Sequence, residues 1–188
     1  MATETMEIII NNKDVKISKT EIESSNLYNL QYCISNKNMY LDKLINFNFL
    51  SIIYELNKSL FDDFKVNIIS EDRATVYILF KWLFKDFDIK HYCVFLEINK
   101  VVIDANTICF ECVSDNNNIN NDLKSDIQIL HIDKLTICFD ITDKHLVHIN
   151  NTICFKKNPI LVPYIQKMIS QIISKMIINS KQFIEKMS

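Results

Sequence analysis

From Pro159 to Met187 the apolar residues Ile165, Met168, Ile169, Ile172, Ile173, Met176, Ile177 and Ile184 recur at three- and four-residue steps. Gln166, Lys167, Gln171, Ser174, Lys175 and Gln182 fill the gaps. This is the period of an α-helix with a wide apolar face, and such a face is stable only against other apolar surface. Proline suits a first helical turn, so Asn158-Pro159 or Val162-Pro163 opens the helix. Pro163 well inside it would lose a hydrogen bond, which places the start of regular helix near Pro163. The segments before it have to supply the partner surface.

Those segments are mostly extended. Met6 to Ile17 reads as strand with a turn at Asn11-Asn12-Lys13. Thr20 and Glu23 make a capping-box pattern, which predicts a short helix through about Gln31. Leu41, Leu44, Ile45, Phe49, Ile52, Ile53, Leu56 and Leu60 have helical spacing and predict a second. From Phe64 the period falls to two. Phe64, Val66 and Ile68 alternate with polar residues, Glu71-Asp72 turns, and Thr75 to Phe84 is apolar on both faces, as in a strand covered on both sides.

A two-residue loop at Asn99-Lys100 would pair Ile98 with Val101 and gather Tyr92, Val94, Leu96, Ile98, Val101, Ile103 and Ala105 on one face. The phase then slips, which predicts a bulge or bend near Asp104 to Asn106. Residues 114–125 form an Asn-rich polar loop. Beyond it Ile127, Ile129, Leu135, Ile137, Phe139 and Ile141 share one parity, and so do Val147, Ile149, Ile153 and Phe155. A loop of Thr142-Asp143-Lys144 would pair Ile141 with His145. One continuous strand from His145 to Lys156 keeps its apolar residues together, where a turn at Asn150-Asn151 would divide them. Thr-Ile-Cys-Phe begins at Thr107, Thr136 and Thr152, with unequal spacings of 29 and 16 residues. Three strands with a common in/out pattern account for it better than a solenoid repeat.

The fold class is therefore α+β: a seven-stranded antiparallel curved sheet, two short helices after the first strand, and a long C-terminal helix packed on the sheet. Residues 1–188 read as a single domain. From Met6 to Met187 this order of elements resembles the helix-grip fold of the START and Bet v 1-like superfamily. The resemblance is topological, and the glycine-rich loop of the plant members is absent. It implies a sheet wrapped around the final helix, with a cavity between them for sterols, phospholipids or other apolar ligands. Some members of that superfamily are enzymes; others bind or carry.

Composition removes several alternatives. The chain has no glycine, so phosphate-cradling loops, dinucleotide fingerprints and the G-x-S-x-G elbow are excluded. Abundant Ile, Asn, Lys and Phe beside a single arginine, Arg73, point to an A/T-rich genome. The net charge of -2 makes no demand for nucleic acid. Met1 to Ile10 has no basic n-region, and the six cysteines then read as reduced thiols of a soluble cytoplasmic protein.

Chemistry is sparse. Cys109 and Cys112 form a C-x-x-C, but positions three apart on a strand face opposite sides. His145 and His148 diverge likewise, so neither a metal nor another cofactor is expected. Cys93 and Cys138 have no evident activating partner, and Glu97 and Glu111 read as solvent-facing carboxylates. With no acid/base pair to pick out, a non-catalytic protein is preferred over an enzyme. The candidate cavity residues are Trp82, Tyr92, His131, Ile169, Ile172, Ile173 and Met176, with His131 inward by its parity with Ile129 and Leu135. Six lysines against Glu185 give the last segment a charge of about +5, leaving about -7 elsewhere. Lys167 and Lys175 are thus candidates for contact with an anionic membrane surface. The leading expectation is a binder or carrier of a hydrophobic small molecule or lipid. The alternative is a protein-interaction or scaffold domain with a filled core.

Overall fold

The computed structural model describes residues 5–22, 25–82, 91–115, 126–156 and 163–187; for Thr5, Lys156 and 163–169 it describes the backbone alone. The described strands are β1 (Thr5–Asn11), β2 (Lys16–Glu21), β3 (Ser25–Ser35), β4 (Phe61–Ile68), β5 (Arg73–Phe80), β6 (His91–Val102), β7 (Thr107–Ser114), β8 (Ile127–Ile129), β9 (Lys134–Asp143) and β10 (Leu146–Lys156). The helices are α1 (Phe47–Asn57) and α2 (Pro163–Lys186). Short 3-10 turns, Leu41–Leu44 and Lys58–Leu60, flank α1.

All ten strands join one mostly antiparallel curved sheet in the order β1-β2-β3-β10-β9-β7-β6-β5-β4. β8 is the parallel exception: it lies along the first residues of β6, His91 to Cys93, while β7 pairs with the later ones, Leu96 to Val102. α2 lies on the inner face. Ser170 and Ser174 are buried on it, together with Ile177 and Ile184. The sequence pattern assigns Ser174 to the polar gaps; in the structure it is buried. α1 packs beside α2, joined by the Asn179 amide donating to Asn57 Oδ1 at 2.9 Å.

Among the described residues the sheet has ten strands rather than seven. The difference lies mainly in the first 35 residues, a three-stranded meander where one strand and a helix are expected. Thr20, the proposed cap, sits inside β2, and Glu23 lies outside the described residues. β3 takes the place of the helix because it is paired on both sides, with β2 over six residues and with β10 over all eleven. Two saturated ladders outweigh a local capping signal. Consequently one α-helix, α1, stands between the meander and β4, and Asn46 starts it by accepting from Phe49 N at 3.2 Å.

Two hairpins shift. β6 runs through Asn99 and Lys100, with Asn99 opposite Glu111, and the turn lies at 103–106. There Asp104 Oδ1 accepts from Asn106 N at 2.8 Å, closing an Asx turn without glycine. The β9–β10 turn lies at 144–145 rather than 142–144, so Ile141 faces Val147 rather than His145. Its apolar sets still share a face. β10 is the single long strand expected, and α2 begins at Pro163. The three Thr-Ile-Cys-Phe segments all lie on strands, with Phe110, Ile137, Phe139, Ile153 and Phe155 turned to the inner face.

That common pattern puts Cys109 and Cys138 directly opposite each other on the outer face, where they form a disulfide across β7 and β9. The expectation of six free thiols fails at this pair. Cys33, Cys93, Cys112 and Cys154 are free. Cys112 faces inward, away from Cys109, and burial pushes its thiol up to about 12.

Candidate functional site

A cavity of about 340 Å³ lies between the inner face of the sheet, α1 and α2. Its size falls at the lower end of ligand pockets generally. Strand alternation builds its floor: every second residue of β5, β6, β9 and β10 points in, and nearly all of these are Val, Leu, Ile or Phe. Phe49, Leu50, Ile53 and Tyr54 of α1 form one wall, and Ile172, Ile173, Met176 and Ile177 of α2 another. Aromatic contacts stiffen the α1 side, with Tyr54 stacked on Phe64 at 4.6 Å and Phe61 against Phe80 at 6.1 Å.

Polar groups are few in this lining. Asn46 is occupied in starting α1. The Ser180 hydroxyl donates to Met176 O at 2.8 Å. The ring of His91 meets Phe80 O and Asp62 Oδ2 (3.2 Å) through Nε2, and Trp82 stacks on it at 5.2 Å. Tyr32 and Asn151 are diagonal neighbours on β3 and β10, with their side chains on the same inner face. Burial pushes the Tyr32 phenol up to about 12, which the Asn151 contact partly opposes. The Tyr92 hydroxyl is raised by burial as well.

Five of the seven sequence-chosen cavity residues come together here: Trp82, Tyr92, Ile172, Ile173 and Met176 all line the space. Ile169 is on α2, but its side chain lies outside the described residues. His131 is exposed and outside the lining, so its inward assignment is corrected. The chain leaves strand geometry between β8 and β9. There Ile132 is turned inward by Ser114, whose hydroxyl accepts from Ile132 N at 2.8 Å and donates to Ile132 O at 3.1 Å. Lys175 is exposed on α2; the side chain of Lys167 lies outside the described residues.

Sequence reasoning missed Tyr32, His91, Asn151 and the α1 wall. Asn151 was within reach: the continuous β10 strand puts it on the parity of Ile149 and Ile153. Tyr32 was hidden by the helix expected over its neighbours. Among the described residues no group of three His, Cys, Asp or Glu could hold a metal ion. No described helix is long and apolar enough to cross a membrane.

No family model and no curated protein matches the chain in sequence. Solved structures do match in shape. The chain is similar to the human StarD13 lipid transfer and protein localization domain, with a TM-score of 0.71 and 7% identity over 98% of this chain and 91% of that one. It is similar to human StAR-related lipid transfer protein 5, with a TM-score of 0.69 and 8% identity over 96% and 86% of the two chains. A STAR-related lipid transfer protein from Xanthomonas axonopodis gives 0.66 and 6% identity over 96% of each. Identities this low speak for architecture, and together with the strand order and the gripped helix they show that the chain has the START and Bet v 1-like helix-grip fold.

Proposed function

We propose that the protein binds or carries a hydrophobic small molecule, of lipid character, in the space between sheet and α2. The observation that carries this reading is the cavity itself: about 340 Å³ of space lined almost wholly by apolar side chains at the centre of the fold. Interiors are normally packed to crystal-like density, so unfilled apolar volume is costly to keep without an occupant. The names of the structural neighbours, two of them lipid transfer proteins and one a lipid transfer domain, support the same ligand class. A filled-core interaction domain has no use for such a space.

Native mass spectrometry of protein purified from its own cells tests the proposal. A retained mass of lipid size, released by organic solvent, is expected. A bare chain after gentle purification, with no uptake from mixed lipid vesicles, defeats it. A membrane contact through Lys167 and Lys175 of α2 belongs to the same proposal. Lys175→Glu should weaken flotation with phosphatidylserine vesicles and leave binding to phosphatidylcholine vesicles unchanged. Cytoplasmic location is proposed too, and the redox state of the Cys109–Cys138 pair in the cell tests it. Six thiols titrating in acid-quenched cell protein would fit the cytoplasm, and four would fit an oxidising compartment.

A further inference from the structure

Asn151 is a polar residue on the cavity lining with hydrogen-bonding capacity left over. Asn46, Ser180 and His91, on the same lining, are bonded within the protein. Asn151 lies diagonal to Tyr32 on the inner face, and its Oδ1 is buried and has no partner among the described residues. A buried amide oxygen without a donor is costly, and a native structure keeps one where something else supplies the donor. The inward neighbours of Asn151 along β10 are Ile149 and Ile153, and Ile137 lies opposite on β9. None of them can donate.

The geometry points to Asn151 Oδ1 and the Tyr32 hydroxyl as the recognition site for a neutral ligand head that carries a hydroxyl group. We infer that the ligand is an uncharged amphiphile bound with this hydroxyl against β10 and its hydrocarbon along α2. The reading rests on the carrier proposal and specifies its ligand. A hydroxyl suits the pair because it donates to Oδ1 and accepts from the phenol, which keeps its proton in this site. A carboxylate or phosphate does not suit it, because an ion there needs a cation beside it. Lys81, a cation on the lining, is exposed to solvent.

The test uses the full chain, stripped of endogenous lipid, and three probes of one length: dodecanol, dodecanoate and dodecane. Each is titrated against a bound fluorescent apolar dye at neutral pH. Dodecanol should displace the dye at concentrations several-fold lower than the other two. Asn151→Leu, of similar volume, should weaken dodecanol roughly tenfold, the size of one buried hydrogen bond lost. Dodecane should bind at least as tightly as to the wild type, because the lining has become more apolar, and this also reports an intact cavity. Tyr32→Phe should reduce the preference for dodecanol over dodecane as well, and it carries the test if Asn151→Leu fails to fold. Dodecanol binding that neither substitution changes overturns the inference, as does a wild-type preference for dodecanoate. Dye displacement by none of the three overturns the carrier proposal itself, and this inference with it.

Discussion

Tyr28 and Tyr32 lie two turns of alternation apart on the inner face of β3, and both phenols are pushed from 10.0 to about 12. Burial is the main cause in each; Glu21 and then Glu7 add to it at Tyr28. Between those values an unfolded phenol releases its proton while the folded one keeps it. The unfolded chain then binds fewer protons, so stability falls as pH rises. The contribution is complete below about pH 10 and is lost as pH passes about 12. Urea midpoints measured across that window should fall steadily for the wild type. Tyr32→Phe should fall less steeply, and an equal slope would mean that Tyr32 is not buried in the native protein. At the scale of single residues, parity made Tyr92 and Trp82 legible as inward. It misled at His131 because the count was carried across 130–133, where the chain is not strand. It also held Asn151, whose amide looks like a turn residue until the strand is drawn through it.

The elements were read well where one period persists and poorly where a local signal competes with pairing. β10 and α2 are long and regular, and they emerge from the pattern alone. β3 does not, because its stability comes from β2 and β10, which lie far away in sequence or across a turn. The Asn99-Lys100 turn rests on a register that gathers apolar residues on one face, whereas the paired length of β6 and β7 decides the matter. A different tertiary device fixes the end of α2. Asn36, buried just beyond β3, donates its amide to the carbonyls of Ile184 and Met187, the latter at 2.8 Å. Lys181 Nζ adds a bond to Cys33 O at 2.9 Å. The last carbonyls of a helix have no partner within it, so these groups anchor the helix to the sheet. Asn36→Ala should cost about 1 to 3 kcal/mol by removing both bonds; Ile184 O keeps its bond from Met187 N, and Met187 O loses its Asn36 donor. Amide exchange should accelerate over the last turns of α2 and much less in β9. Unchanged protection at 180–187 would show that the anchor lies elsewhere.

At the scale of the molecule, the helix-grip order of strand, helix, meander and final helix was legible, but whether the grip closes on packed side chains or on space was not. Sequence records which residues face inward and says little about the distance between the surfaces they form. The structure separates two parts of α2 in this respect. Ile184 is 2% exposed and belongs to the packed core, whereas Ile172 and Ile173 border the cavity. Ile184→Ala should therefore cost about 2 to 5 kcal/mol, a transfer loss plus a new void. Ile172→Ala only enlarges existing space and should cost less. Ile173→Phe separates the readings most sharply. In a filled core it overpacks, at about 1 to 3 kcal/mol. Beside a cavity of about 340 Å³ the ring has room, so the urea midpoint should stay near the wild-type value while lipid uptake falls. If all three substitutions destabilise the protein alike, and the parent takes up no lipid, the space between sheet and α2 is closed in solution. The fold would then serve as a solid scaffold and not as a container.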